Sequence, residues 1–155
     1  MTAAAILTAA KARGVMIATA ESCTGGMVSA ALTDVPGSSA IFDRGFVTYT
    51  NAAKIQMLGV QSATLDAYGA VSEQIAAEMA QGALAHSTAQ LAVSITGIAG
   101  PGGSEHKPEG RVCFAIATPD HCQTETMEFG ALGRAEVREA AKTHALGLLL
   151  TALSS

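Results

Sequence analysis

Two kinds of hydrophobic pattern alternate along the chain. Short apolar runs rich in β-branched and aromatic residues predict strands, and they occupy residues 15–20, 41–50, 91–96, 112–118 and 122–129. Segments with apolar residues every three or four positions predict helices, and they occupy residues 2–13, 24–33, a short stretch with Asn51 as its N-cap, a longer one with Ser72 as its N-cap and the C-terminal region. The last two strands flank a tight turn at Pro119 and Asp120, which predicts an antiparallel hairpin.

This order of elements predicts the fold class. Strands mixed with helices, including an antiparallel pair, are typical of an α/β fold in which helices cover both faces of a mixed sheet. We therefore expect a three-layer α/β/α sandwich. A chain of 155 residues without a linker or internal repeat suits one domain, so we expect residues 1–155 to form a single unit.

Composition narrows the function classes. The formal net charge is −4 and no run of Lys or Arg occurs, which argues against nucleic acid as a direct partner. Lys11 and Arg13 follow the apolar N-terminal stretch instead of preceding it, so we expect neither a signal sequence nor a membrane segment. The three cysteines include no C-x-x-C pair, which favours a reducing cytoplasm and argues against structural zinc.

A serine stands where the first predicted strand turns into a helix, within the run Glu-Ser-Cys-Thr-Gly-Gly of residues 21–26. At such a turn a hydroxyl is exposed at the sheet edge, and the following amides can donate to a developing oxyanion. Ser22 is therefore a candidate nucleophile, with Gly25 and Gly26 allowing close approach of a ligand. The same residues equally fit a helix N-cap followed by close-packing glycines.

A nucleophilic serine here needs a base other than histidine. The motif lacks the flanking glycines of G-x-S-x-G, and the four histidines lie at no recognisable triad position. Lys54 is a candidate, because an ammonium near a helix start opposes the macrodipole and burial would lower its pKa further. Tyr49 ends the preceding strand and would place its hydroxyl between the serine and the amine. The alternatives are a solvated surface lysine and a half-buried strand tyrosine.

Residues 97–103, Gly-Ile-Ala-Gly-Pro-Gly-Gly, form a second candidate segment. This segment lacks both the Walker ending and the G-x-G-x-x-G spacing, so it is no nucleotide fingerprint. Its amides would form an anion nest or a substrate wall, unless the segment is simply a glycine-rich crossover. Arg134 and Arg138 lie one turn apart near the start of the last helix, where they would either bind a phosphate or face solvent.

Several of these segments together resemble the CinA C-terminal domain family. The matching stretches are residues 19–26, 36–39, 44–49 with Asn51 and Lys54, 68–72 and 94–103. Each stretch alone is a weak motif. Their common order covers nearly the whole chain, and the ordered set is specific.

The resemblance implies a cytoplasmic serine amidohydrolase that converts nicotinamide mononucleotide to nicotinic acid mononucleotide and ammonia without a metal or organic cofactor. It implies Ser22 as nucleophile, Lys54 as base and Tyr49 as an assisting group, in a homodimer with the three-layer fold. Ser38, Ser39 and Arg134 are candidates for the substrate phosphate. The full set of substrate-binding candidates is Cys23, Thr24, Gly25, Ser38, Ser39, Thr96, Gly97, Gly100, Gly102 and Arg134.

Two alternatives stay open at this point. Cys23 is a rival nucleophile, because a thiolate is intrinsically stronger and the same helix start would lower its pKa, although a partner histidine is missing. The second alternative is a nucleotide-binding or sensing domain that keeps the pocket without turnover, since competence and damage-response names accompany this family.

Overall fold

The computed structural model describes residues 2–155, and these form one mixed sheet with helices on both faces. The elements in chain order are α1 (Thr2–Arg13), β1 (Ile17–Glu21), α2 (Met27–Thr33), a 3₁₀ turn (Ser38–Ala40), β2 (Phe42–Val47), α3 (Asn51–Leu58), α4 (Ser62–Tyr68), α5 (Glu73–Ala85), β3 (Leu91–Gly97), β4 (Arg111–Thr118), β5 (His121–Glu128) and α6 (Arg134–Leu153). The predicted α/β sandwich is confirmed. No helix within residues 2–155 is long and apolar enough to cross a membrane.

The sheet topology brings distant parts of the sequence to one edge. The strand order is β2-β1-β3-β4-β5, with β1 parallel to both neighbours and the last two pairings antiparallel. The carboxyl ends of β1, β2 and β3 therefore lie beside the start of β4 and the end of β5. We call this side of the sheet the carboxyl edge. Ser22 follows β1, Lys54 follows β2, residues 97–103 follow β3 and Arg134 follows β5, so all of them come after strands that end at this edge.

The two faces of the sheet differ in side-chain size. Large residues such as Ile17, Val93 and Phe114 face the layer of α1, α2 and α6, and they belong to one buried cluster. Small residues such as Ala18 and Ala92 face α5, which is itself rich in alanine and belongs to a second buried cluster. Small residues on both sides let α5 approach the sheet closely.

A close helix contact fixes α3 at the carboxyl edge. Gly82 of α5 lies against the end of α3, and a Cβ at this position would come 2.0 Å from the carbonyl oxygen of Leu58. Any larger residue would push the two helices apart. Since α3 carries Lys54, this packing determines where the lysine lies.

The elements around the carboxyl edge are shorter than predicted. Helix α2 begins at Met27 rather than at residue 24, because Gly25 and Gly26 have left-handed backbone, with φ of 56° and 105°. Strand β2 ends at Val47 instead of residue 50, and the side chain of Thr50 caps α3 by accepting a bond from the amide of Ala53. The prediction of Asn51 as the cap was wrong by one residue.

Helix α4 was not predicted from the sequence. Of its seven residues only Leu65 is buried, which leaves no apolar periodicity to detect. Helix α5 follows the prediction closely. The hydroxyl of Ser72 accepts a bond from the amide of Ile75, and Ile75, Met79 and Ala83 are all fully buried.

Candidate active site

Ser22 and Lys54 meet at the carboxyl edge. Ser22 directly follows β1, and Lys54 points back to it from α3, so that the lysine Nζ lies 2.9 Å from the serine Oγ. The lysine is 1% exposed and the serine 7% exposed. Lys54 is therefore a buried partner of Ser22 and not a solvated surface lysine.

The other contacts of Lys54 orient its amine. Nζ lies 3.0 Å from the carbonyl oxygen of Thr48 and 3.1 Å from that of Tyr49. Both oxygens only accept hydrogen bonds. A neutral amine has two N–H groups, and donating both of them to these carbonyls directs its lone pair toward the Ser22 hydroxyl. The turn between β2 and α3 thus prepares Lys54 to accept the serine proton.

Burial also favours the neutral form of this lysine. Desolvation lowers the pKa of Lys54, and the nearby Cys23 and Glu105 oppose this effect to a smaller extent. Lys54 forms no salt bridge with any residue in the range 2–155, so no contacting carboxylate holds the proton in place. A base with a depressed pKa is what a serine nucleophile requires.

The turn after Ser22 leaves two amides free. The Ser22 amide donates to the carbonyl of Ile95 at 2.9 Å, and the Gly25 amide donates to the carbonyl of Ser22 at 3.1 Å. The amides of Cys23 and Thr24 have no acceptor among residues 2–155. The Cys23 residue lines the cleft, so its amide can donate to an oxyanion formed at Ser22, whereas the Thr24 amide is fully buried and that of Gly25 is already used.

Cys23 is a poor nucleophile in this environment. Its side chain is 4% exposed, and burial raises the pKa of its thiol to about 11. The thiol is thus protonated at neutral pH, and the amine of Lys54 contacts the neighbouring hydroxyl instead. These observations favour Ser22 over its sequence neighbour.

A cleft of about 370 Å³ opens over the Ser22–Lys54 pair. One wall is the glycine-rich segment 97–103, and another is the turn between β2 and α3. The residues that line the cleft are Ser22, Cys23, Tyr49, Asn51, Lys54, Ala70, Val71, Thr96, residues 97–105 and Arg134.

Arg134 and Tyr49 meet at the exposed side of the cleft. The guanidinium of Arg134 donates to the Tyr49 hydroxyl at 2.6 Å and to the carbonyl oxygen of Gly100 at 2.7 Å. Tyr49 is 56% exposed. Its backbone carbonyl contacts Lys54, whereas its hydroxyl contacts Arg134. The phenol therefore does not lie between the serine and the amine, and that prediction from the sequence was wrong.

Most of the predicted site residues are brought together, and four are not. Thr24 is fully buried and its hydroxyl donates to Glu21, while Gly25 lies in the same turn outside the cleft lining. Ser38 and Ser39 belong to the 3₁₀ turn before β2. Since β2 starts beside Ile17, at the beginning of β1, these serines lie at the edge of the sheet opposite Ser22.

Three charged residues shape the site through contacts that the sequence did not predict. The carboxylate of Glu21 accepts bonds from the turn after Ser22. Arg138, expected to face solvent or a phosphate, donates to the carbonyls of Cys23 and Thr24. The carboxylate of Glu109 accepts hydrogen bonds from the amides of Gly102 and Gly133. These bonds join the glycine-rich wall to the start of α6.

Of these three, only Glu21 carried a signal in the sequence. A charged residue in a predicted buried strand, directly before the candidate serine, is unusual enough to suggest a specific set of partners. Arg138 and Glu109 act through contacts between segments far apart in the chain, which no local pattern reports.

Comparisons with known proteins identify the relatives of this chain. The family model for the CinA C-terminal domain matches residues 1–153. The chain is 54% identical over 142 residues to the nicotinamide-nucleotide amidohydrolase PncC of Escherichia coli K12, covering 91% of this chain and 86% of that protein. It is also similar to a CinA-like protein of Chloroherpeton thalassium, with 60% identity over 109 residues that make up 70% of this chain and 26% of the longer relative.

Solved structures give the same result. The crystal structure of the competence/damage inducible protein CihA from Agrobacterium tumefaciens superposes with a TM-score of 0.94 at 50% identity, covering 99% of this chain and 94% of that one. A CinA superfamily protein from Klebsiella pneumoniae 700603 superposes with a TM-score of 0.95 at 36% identity, covering 99% of this chain and 96% of that one. The chain belongs to the CinA C-terminal domain family.

Proposed function

We propose that this protein is an amidohydrolase that converts nicotinamide mononucleotide to nicotinic acid mononucleotide and ammonia. The observation that carries the proposal is the 2.9 Å contact between Ser22 Oγ and the buried amine of Lys54 at the floor of a cleft. The substrate is suggested by relatives at 54% to 58% identity that are named nicotinamide-nucleotide amidohydrolases. The cleft volume of about 370 Å³ lies within the usual range for small-molecule sites.

The first half of the reaction forms an acyl-enzyme. Neutral Lys54 takes the proton of Ser22 as the serine oxygen attacks the carboxamide carbon. The amide of Cys23 donates to the oxyanion of the tetrahedral intermediate. Lys54 then passes its proton to the amide nitrogen, the C–N bond breaks, and ammonia leaves.

The second half releases the acid. A water molecule attacks the ester carbon while Lys54 takes one of its protons, and the same amide stabilises the second oxyanion. Collapse of this intermediate breaks the bond to Ser22, which recovers its proton from Lys54. The products are the free enzyme and the nicotinic acid group, which releases its remaining proton to solvent and leaves as the carboxylate.

Substrate binding is assigned to the exposed side of the cleft. Arg134 is the cationic side chain there with a guanidinium that can pair with a phosphate, and the amides of residues 97–103 lie beside it. The Tyr49 hydroxyl accepts a bond from Arg134 and so orients it. In this assignment Tyr49 assists binding through Arg134, in addition to holding Lys54 through its carbonyl.

The resemblance to the family also suggests properties beyond the chemistry. We propose a homodimer in the cytoplasm, built on one domain of residues 1–155, that does not bind nucleic acid. The reduced state of the three cysteines suits a reducing compartment.

An ammonia-release assay tests the proposed reaction. We expect turnover of nicotinamide mononucleotide, much slower turnover of nicotinamide riboside because it lacks the phosphate, and none of free nicotinamide. Calorimetry with the same three compounds measures binding separately. Tight binding of the mononucleotide without ammonia release would instead indicate a nucleotide-sensing domain.

Chelation is expected to leave the activity unchanged. In the proposed reaction Lys54 supplies the base and a backbone amide supplies the oxyanion donor, so neither role requires a metal ion. The measurement is kcat on nicotinamide mononucleotide before and after dialysis against a chelator. A loss of kcat that a divalent cation restores would contradict the mechanism.

A further inference from the structure

The carboxylate of Glu21 is fully buried directly beneath the turn that carries Ser22. It accepts five hydrogen bonds and forms no salt bridge within the described residues 2–155. One oxygen accepts from the Thr24 hydroxyl at 2.7 Å and from the amides of Gly26 and Val28 at 3.2 and 3.0 Å. The other oxygen accepts from the amide and hydroxyl of Ser29 at 3.0 and 2.8 Å.

Only a carboxylate of this length satisfies these partners. All five partners are donors, and an ionised carboxylate is the one acidic side chain form with acceptors alone on both oxygens. A glutamine would turn an N–H₂ group toward one set of donors, and an aspartate would withdraw both oxygens by one methylene. Glu21 also takes the place of a side-chain N-cap for α2, because the residue at the cap position is Gly26.

The turn is held from its other side by Arg138. Its guanidinium donates to the carbonyls of Cys23 and Thr24 at 3.0 and 3.4 Å, and it lies 3.4 Å from where a Cβ on Gly25 would be. Glu21 therefore binds the donors of the turn and of the helix start, while Arg138 binds its acceptors. The backbone amides that remain unpaired here are those of Cys23 and Thr24.

We propose that Glu21 is a positioning residue for the hydrolysis, because its buried carboxylate fixes residues 22–26 so that Ser22 reaches Lys54 and the Cys23 amide stays free for the oxyanion. This inference rests on the proposed function. It assigns to Glu21 an effect on the chemical step and not on substrate affinity, since the carboxylate lies outside the cleft lining.

The test is Glu21→Gln, which keeps the length of the side chain and replaces one acceptor with a donor. We expect kcat for ammonia release to fall on the order of a hundredfold, while KM changes by less than about threefold. A purely structural role would reduce the amount of folded enzyme without changing the kcat of the folded fraction, which active-site titration and circular dichroism measure.

Two further variants make the result decisive. Glu73→Gln is the matched control, because the Glu73 carboxylate accepts bonds from Thr124 and Thr126 on β5 outside the cleft, and we expect an unchanged kcat.

Ser29→Ala removes one of the five donors to Glu21 but leaves the carboxylate, so we expect a kcat loss of about tenfold with KM preserved. This variant decides the question if Glu21→Gln does not fold.

The outcomes separate the two proposals. A folded Glu21→Gln enzyme with wild-type kcat, or an equal loss in Glu73→Gln, would overturn the positioning role alone. Absence of ammonia release by the wild-type enzyme would overturn the proposed function and this inference with it.

Discussion

Ser22→Ala is expected to abolish ammonia release from nicotinamide mononucleotide while the protein stays folded. In the proposed reaction the hydroxyl attacks the carboxamide, and its removal leaves Lys54 without a nucleophile to activate. We expect kcat to fall on the order of a thousandfold or more, with substrate affinity nearly unchanged. Steady-state kinetics and calorimetric binding of the mononucleotide measure the two quantities, and circular dichroism monitors the fold.

Cys23→Ala is the matched control for this prediction. The thiol is buried, its pKa is raised to about 11, and the amine of Lys54 does not contact it, so most of the activity should remain. An active Ser22→Ala enzyme, or a folded but inactive Cys23→Ala enzyme, would assign the covalent step to the thiol instead.

The elements that sequence reasoning identified are those with a local signal. The alternation of apolar runs located every strand, and the tight turn at Pro119 and Asp120 correctly predicted the pairing of β4 with β5. A strand followed by Ser22, and a helix starting near Lys54, were readable for the same reason. The short distance between Ser22 and Lys54 could not be predicted, because it depends on β2 lying parallel beside β1.

The parts of the site that the sequence left open depend on packing between distant segments. The surface alternative for Lys54 is excluded only by the position of α3, which Gly82 of α5 allows through its contact with Leu58. Arg138 contacts the turn after Ser22 from more than a hundred residues away in the chain. The position of Ser38 and Ser39 was mispredicted for the same reason, because their motif gives no information about which edge of the sheet they occupy.

The burial of Lys54 lowers the free energy of unfolding at pH values where the lysine is protonated in the unfolded chain. Burial lowers the pKa of Lys54 in the folded state, so the unfolded chain binds more protons between this lowered pKa and the ordinary one. The free energy of unfolding therefore rises with pH in that window, and the full cost is present below the lowered pKa. A neutral residue at this position removes the cost, which is consistent with a site selected for chemistry.

Lys54→Arg and Lys54→Met are expected to lose on the order of a hundredfold or more in kcat, because neither side chain can accept the Ser22 proton. Relative to the wild type, the stabilities of the two variants should change in opposite directions. Lys54→Met should have a higher Tm than the wild type at acidic pH, since an uncharged side chain fills the buried position, whereas Lys54→Arg should have a lower one. Differential scanning calorimetry across pH measures this difference, and substrate affinity should change little in either variant.

A pH profile of kcat tests whether Lys54 is the group that titrates. The wild-type kcat should rise with pH as Lys54 loses its proton, and this acidic limb should lie below the range of an exposed lysine because burial lowers the pKa. In Lys54→Met the residual rate should lack this limb, whereas Cys23→Ala should retain it, since the Lys54 amine still meets Ser22 and the carbonyls of Thr48 and Tyr49 there. A Lys54→Arg enzyme with near-normal kcat and the same acidic limb would show that another group is the base, and the 2.9 Å contact with Ser22 would then be a structural hydrogen bond.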